Sequence, residues 1–173
     1  MPIAGTLYWS VVAVLSFILP LGQLAYVVLF GSGMIFPLAT LIDRARGRRI
    51  TAAGTANPVM VLFLRSLVLI VLMWPLVIFA ARAAHDPLVI ILGGAILMAL
   101  VWIPYGWAAN DPVGMEHAIG RSVASYVAYA LVPAPWTASA IAGVVILAYA
   151  YSFVRMRRPD ARDLALTTPA AVG

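Results

Sequence analysis

A long stretch without charge near the start of the chain is the feature that most restricts its fold. The stretch runs from Thr6 to Asp43, and Asp43 is its first charged residue. As one helix, this stretch would be about 57 Å long, whereas the hydrocarbon core of a bilayer is only ~30 Å thick. We therefore expect it to fold back on itself. Pro20, Gly22 and Gln23 supply the break, because proline removes a backbone donor and glycine permits turn geometry.

The overall composition requires a nonaqueous environment. Of the 173 residues, 64% are hydrophobic and 10% are charged, against about 45–50% and roughly 25% in soluble domains. A membrane-spanning segment must satisfy its own backbone hydrogen bonds, which leaves helices or a closed barrel. Barrel strands alternate apolar and polar residues, but the apolar runs here are continuous, as in Val59–Ala81. The sequence thus predicts an all-α, polytopic transmembrane helix bundle.

The side-chain chemistry available to the chain is narrow. All 11 basic residues are Arg, and there is no Cys. Lysine Schiff-base chemistry is therefore excluded, as are disulfides, thiol catalysis and cysteine metal sites. The net charge of +5 does not indicate nucleic-acid binding, because the arginines flank predicted spans, where anionic lipid is the nearer partner. We expect the lipid bilayer as partner, no nucleic acid and no cofactor.

Proline breaks and arginine clusters divide the chain into about six spans, near residues 5–20, 24–43, 58–82, 87–107, 118–132 and 136–155. Residues 1–158 would form the transmembrane domain, and residues 159–173 would form a disordered cytoplasmic tail. Cytoplasmic loops are enriched in Arg, and placing both termini in the cytoplasm brings every arginine cluster inside. Four tryptophans would then mark the membrane interfaces, namely Trp9, Trp74, Trp107 and Trp136.

Arg65 is the first candidate functional residue, since it lies about 10 Å along the third predicted helix. A charge inside a membrane is a functional hypothesis by default. Two structural roles stay open. The side chain could extend back to the headgroups, or it could pair with Asp111 or Glu116.

The polar stretch at residues 104–121 is the second candidate. The predicted topology places it on the same side of the membrane as Arg65. His117 and Arg121 are four residues apart and share a helix face. Arginines beside His and Tyr suit a phosphate or carboxylate, although an ordinary cytoplasmic loop with a charged helix start would look similar. The candidate ligand-binding residues are Arg65, Tyr105, Asp111, Glu116, His117 and Arg121. We find no catalytic motif, and no HExxH-type metal site.

Gly31, Gly33 and Pro37 form a third feature, within the second predicted helix. Small residues let membrane helices approach closely, and a proline kinks a helix and frees a carbonyl. We interpret these residues as a packing face with a kink. The alternative is a broken helix that lines a cavity, as in transporters.

A resemblance rests on several of these motifs together. A short first hairpin is followed by Gly-x-Gly-x-x-Phe-Pro-Leu at residues 31–38, a basic loop, Asn57-Pro58 and Pro104-Tyr105-Gly106. Over about residues 7–132, the chain resembles an uncharacterised family of small bacterial multi-pass membrane proteins, a domain of unknown function. The resemblance implies about six helices and a bacterial cytoplasmic (inner) membrane location. It assigns no activity and no site residue.

Three classes of function remain open at this point. The first is an integral membrane protein that binds or carries an anionic small molecule or lipid headgroup from the cytoplasmic side. The second is a non-catalytic membrane subunit or scaffold, including a homo-oligomer that packs through small-residue faces. The third is a lipid-modifying membrane enzyme, which the sequence supports least because it offers neither a nucleophile nor an acidic metal motif.

Overall fold

The protein is seen here as a computed structural model that describes residues 2–45 and 58–156. Within these ranges it is all-helical and contains no strand, as predicted. The helices are α1 (Pro2–Leu15), α2 (Leu21–Gly31), α3 (Ile35–Ala45), α4 (Pro58–Ala84), α5 (Leu88–Leu100), α6 (Trp102–Ala109), α7 (Val113–Leu131) and α8 (Thr137–Arg155). A short 3-10 helix, Ser32–Met34, joins α2 to α3. The predicted tail at 159–173 lies outside the described residues.

The breaks between helices mostly fall where the prolines predict them. The chain turns after Leu15 and restarts beyond Pro20, at α2, so a first hairpin forms with Pro20 at its break. The first helix ends five residues before the predicted residue 20, and Gly22 and Gln23 lie inside α2, so the prediction that they help to break the helix is wrong. Pro58 is the first residue of α4, where its missing N–H costs nothing. The turn before α5 contains His85 with a positive φ of 52°, and Asp86 Oδ1 accepts a hydrogen bond from the Leu88 backbone N–H at 2.9 Å.

The predicted boundary before α7 is wrong. The sequence places residues 108–117 in a polar loop, but α7 already begins at Val113, so Glu116 and His117 are helical. Asn110 ends α6 in the left-handed conformation, with φ 48°. Asp111 Oδ1 then accepts a hydrogen bond from the Val113 backbone N–H at 3.0 Å. A turn of three residues is enough because these local interactions satisfy the backbone.

Three helical segments in the described part are long and apolar enough to cross a membrane, namely Leu21–Ile42, Leu64–Ala84 and Thr137–Arg155. Ile3–Leu15 and Leu88–Pro104 are shorter apolar helices. Helix α4 shows what this means for the surface. It buries Ile70, Trp74 and Ala81, while the side chains of Leu72 and Leu76 are 66% and 60% exposed. Such an apolar exterior is suited to lipid contact.

The core lies between α5 and the α1–α7–α8 group. Helix α8 packs against α7 and α1, while α5 contacts α7, α4 and α2. Trp9 lies in this core and is fully buried, and Trp74 is only 8% exposed. These two tryptophans therefore pack inside the bundle and not on its outer surface, where an interfacial ring would contact lipid headgroups. Trp107 and Trp136 are 67% and 56% exposed and lie near helix ends.

Candidate functional site

A polar stripe runs along the buried face of α7. His117, Arg121 and Ser125 follow one another at four-residue spacing, which places them on one face of the helix. They are 1%, 1% and 0% exposed, respectively. Arg121 lies eight residues after Val113, or about 12 Å along the helix. This stripe is the most unusual feature of the interior, because three polar side chains are buried on successive turns of one helix in an otherwise apolar bundle.

Two aromatic rings enclose the Arg121 guanidinium. Its central carbon lies 5.5 Å from the centre of the Trp9 ring, on α1, and 5.4 Å from the centre of the Tyr149 ring, on α8. Its Nη1 donates a hydrogen bond of 3.5 Å to the Tyr149 hydroxyl. Arginine stays protonated in proteins, so the cluster holds a positive charge whose contacts are rings and a hydroxyl.

The remaining donors of Arg121 are unpartnered. Nε and Nη2 have no hydrogen-bond partner among the described residues. These two nitrogens form one edge of the planar guanidinium, and this edge can donate two parallel hydrogen bonds to a carboxylate or phosphate. Trp9 Nε1 and Ser125 Oγ are likewise buried and have no partner among the described residues. The unpartnered nitrogens of Arg121 and Trp9 are all hydrogen-bond donors.

His117 continues the cluster one turn from Arg121. Its ring stacks on Trp102, with centroids 4.1 Å apart and planes inclined by 16°. Nδ1 lies 2.7 Å from Ser152 Oγ and 3.1 Å from the Ala148 carbonyl oxygen. Because a carbonyl oxygen can only accept, these contacts favour the tautomer with the proton on Nδ1. Nε2 then has a free acceptor site and no partner in the described part of the chain.

We refer to these side chains as the Arg121 cluster, which comprises Trp9, Trp102, His117, Arg121, Ser125, Tyr149 and Ser152. Helices α1, α6, α7 and α8 each contribute to it. Gly5 is essential to this arrangement, since a Cβ there would overlap the Tyr149 hydroxyl. Because Gly5 has no Cβ, α1 can lie against α8, and Trp9 comes close to the guanidinium.

The predicted site residues divide into separate groups. His117 and Arg121 lie in the cluster. Glu116 lies beside it at the edge of the bundle, where Oε2 accepts a hydrogen bond of 2.6 Å from the Tyr151 hydroxyl and Oε1 is 3.9 Å from Arg155 Nη2. Asp111 stabilises the turn before α7. Arg65 is exposed on α4, outside the cluster.

Tyr105 lies in helix α6, and its side chain is outside the described part of the structure. The cluster also includes residues that the sequence analysis missed. Ser125 could have been found, because it extends the spacing of His117 and Arg121 by another four residues. Trp9 and Tyr149 carry no comparable signal, since they reach Arg121 from α1 and α8 through tertiary packing.

The Gly31–Pro37 segment combines packing with a change in helix geometry. A Cβ at Gly31 would meet the Tyr8 ring at 2.8 Å, so α1 lies close to this position. Gly33 is exposed and has open space around it. The 3-10 helix Ser32–Met34 precedes Pro37, which agrees with the loss of a backbone donor at a proline.

This segment also borders an apolar cavity of about 650 Å³. Gly33 and Pro37 line it, as do Ile70 and Val71 of α4. The cavity is apolar on nearly all sides. Its inner lining also includes two members of the Arg121 cluster, Trp102 and Tyr149.

Comparison with known proteins adds a family but no activity. The sequence model of a "Family of unknown function (DUF7010)" matches residues 1–157. No curated protein and no solved structure shows significant similarity to the chain. Among the described residues, no group of three His, Cys, Asp or Glu side chains is arranged to hold a metal ion.

Proposed function

The chain belongs to this family of unknown function, and from that premise we propose that it is a multi-pass protein of the bacterial inner membrane that binds or carries an anionic small molecule or lipid headgroup. In this proposal both termini are cytoplasmic. The anion binds at Arg121 and is reached from the cytoplasmic side. Helices of sufficient length and apolar character support the membrane location.

The observation that carries the proposal is the unpartnered edge of a buried guanidinium. Arg121 is 1% exposed, and its Nε and Nη2 both lack a partner among the described residues. Removing an ion from water costs several kcal/mol even after the protein relaxes (roughly 20 kcal/mol in an idealised apolar medium). A cation–π contact returns about 2 kcal/mol when desolvated. The two rings therefore offset only part of the cost, and an anion on the open edge would supply the rest.

The surroundings favour an anion over other ligands. Trp9 Nε1–H can donate but cannot accept, and Ser125 Oγ can donate. A carboxylate or phosphate oxygen accepts from several donors at once. The proposed access from the cytoplasmic side is supported by the direction of α7, whose first turn lies beside Arg155 at the end of α8. Positive charge at that end of the bundle would attract anions towards the cluster.

Substitution of Arg121 tests this function directly. We would purify the wild type, Arg121→Met and Arg121→Lys in detergent and measure bound small anions and lipids by native mass spectrometry. Methionine removes the charge but keeps a long side chain, and replacement of a buried ion by an apolar residue is often tolerated. Lysine keeps the charge but lacks the two-donor edge. Both variants should lose an anionic species that the wild type retains.

Arg82→Met is the matched control, because Arg82 is also an arginine in an apolar helix but is exposed near the end of α4. It should retain the bound anion. Circular dichroism would show whether each variant remains helical. If folded Arg121→Met carries the same anionic species as the wild type, the proposed function is wrong.

A scaffold is the second candidate, and one specific observation favours it. Gly120 on α7 and Gly143 on α8 both have open space, with no neighbouring atom within 4 Å of the point that a Cβ would occupy. Glycines on the surface of a membrane helix permit close approach of another helix. If the chain acts as a homo-oligomer through the surface around Gly120, Gly120→Leu should reduce cross-linked dimers in detergent without removing a bound anion.

A further inference from the structure

The apolar cavity and the Arg121 cluster share part of their structure. Trp102 and Tyr149 line the inner end of the cavity. Tyr149 is also the hydrogen-bond partner of Arg121, and Trp102 is the ring that stacks on His117. A layer one side chain thick therefore separates an apolar space from a buried positive charge.

The other end of the cavity reaches the apolar surface of the bundle. Phe30 and Val71 both line it and are 72% and 63% exposed. In a membrane these positions face lipid chains, so an apolar molecule can enter sideways without crossing water. The volume of about 650 Å³ lies within the roughly 300–1,000 Å³ found for small-molecule pockets.

From this arrangement we infer that the ligand of the proposed function is a long-chain carboxylate. Its apolar chain occupies the cavity, and its carboxylate reaches the Nε–Nη2 edge of Arg121 past the Tyr149 side chain. The inference rests on the proposed function and adds the chemical class of the ligand. One buried cation matches one negative charge, which a carboxylate carries at neutral pH. A phosphate monoester carries about 1.5 to 2 charges and would leave an excess.

Tyr149 has a defined role in this binding mode. Its ring lies between the cavity and Arg121, and its hydroxyl accepts from Nη1. A rotation of the Tyr149 side chain would open a path from the cavity to the guanidinium. Binding then exchanges a tyrosine–arginine hydrogen bond for a charge-assisted pair of bonds, which is the stronger interaction.

A substitution that fills the cavity tests whether the cavity binds the acyl chain. Val71→Trp adds bulk at a residue that lines the cavity, whereas Val68→Trp adds the same bulk on the same helix at a residue that does not. The two valines are similarly exposed, at 63% and 59%. Binding of palmitic acid, methyl palmitate, butyric acid and dodecyl phosphate would be measured on the detergent-purified full chain by competition with a fluorescent fatty acid.

The wild type should bind palmitic acid more tightly than either the ester or the short acid. Val71→Trp should weaken palmitic acid binding by about tenfold or more, because the indole ring would occupy the space that the acyl chain needs. Val68→Trp should leave it unchanged. Equal affinity of Val71→Trp, Val68→Trp and the wild type for palmitic acid would overturn the inference. A preference of the wild type for dodecyl phosphate over palmitic acid would also overturn it.

These outcomes separate the two proposals. If Arg121→Met releases a bound anion but Val71→Trp has no effect on palmitic acid, the anion site stands and the chain-binding cavity does not. If Val71→Trp weakens both palmitic acid and its methyl ester while Arg121→Met changes neither, the cavity binds apolar chains and the proposed anion site is wrong. Thermal unfolding of each variant would exclude loss of binding through loss of fold.

Discussion

Tyr149 connects several separate parts of the interior. It packs against α1 through Gly5, contacts the Trp102 and His117 rings, and accepts the only hydrogen bond found for Arg121 in the described part. Its position is therefore set by several helices at once. A side chain held in this way is expected to contribute strongly to stability, because its polar group is buried with a charged partner.

We expect Tyr149→Phe to lower the free energy of unfolding by about 1–3 kcal/mol, because Arg121 Nη1 would be left without its acceptor. Denaturant unfolding in detergent, followed by tryptophan fluorescence, would measure the change. Tyr151→Phe on the same helix is the matched control. Its hydroxyl binds Glu116, but the side chain is 44% exposed, so solvent can replace the lost bond. Equal losses for the two variants would contradict the assignment.

At the scale of the helices, the α6–α7 turn determines where the polar stripe lies. Gly106 and Gly114 face each other so closely that a Cβ on Gly114 would press on the backbone of Gly106 and Trp102. This approach allows α7 to start at Val113 and run beside α6. His117 then comes to stack on Trp102, one turn ahead of Arg121.

Gly114→Ala should therefore destabilise the protein by about 1–3 kcal/mol or more, because backbone atoms must move to admit the methyl group. Gly120→Ala is the control on the same helix, since the space around Gly120 is open. Alanine there should be neutral or stabilising by about 0.5–1 kcal/mol, because it favours the helix over glycine. Thermal unfolding of both variants would test the pair. A destabilised Gly120→Ala beside an unaffected Gly114→Ala would show that the α6–α7 contact is wrong.

At the scale of the whole molecule, the helices can be compared with the predicted membrane spans. The six helical segments expected from the sequence are found, counting α2 with α3 and α5 with α6, within the described residues. Three of them meet the length and hydropathy expected of spans. The remaining segments are shorter or carry the polar stripe of α7. The six-span topology with cytoplasmic termini stays a prediction that depends on the distribution of arginine.

Reporter fusions would test that topology. A reporter fused after Arg158 should be cytoplasmic, and one inserted at Ala84, at the end of α4, should be external. Alkaline phosphatase and green fluorescent protein would give opposite signals at the two positions. If both positions report the same side, the count of six spans is wrong, and access to Arg121 from the cytoplasm would need to be reconsidered.

Sequence alone predicted the candidate site only in part. The four-residue spacing identified His117 and Arg121 as neighbours on one face, and both are buried. The predicted six-span topology also grouped Arg65, Tyr105, Asp111 and Glu116 with them. In the structure, Arg65 is exposed, Glu116 binds Tyr151, and Asp111 caps a turn. The sequence predicts the charge of each residue and its side of the membrane. Whether a side chain is buried depends on which other helix packs against it.

The sequence by itself determined the helices and their main breaks, because continuous apolar runs must satisfy their own backbone in a membrane and prolines cannot continue a helix. Only the tertiary structure decided which arginine is enclosed. Trp9 and Tyr149 lie far from Arg121 in the chain and reach it because Gly5 lets α1 approach α8. Local spacing encodes which residues share a face, whereas burial of a charge between aromatic rings arises when separate helices pack together.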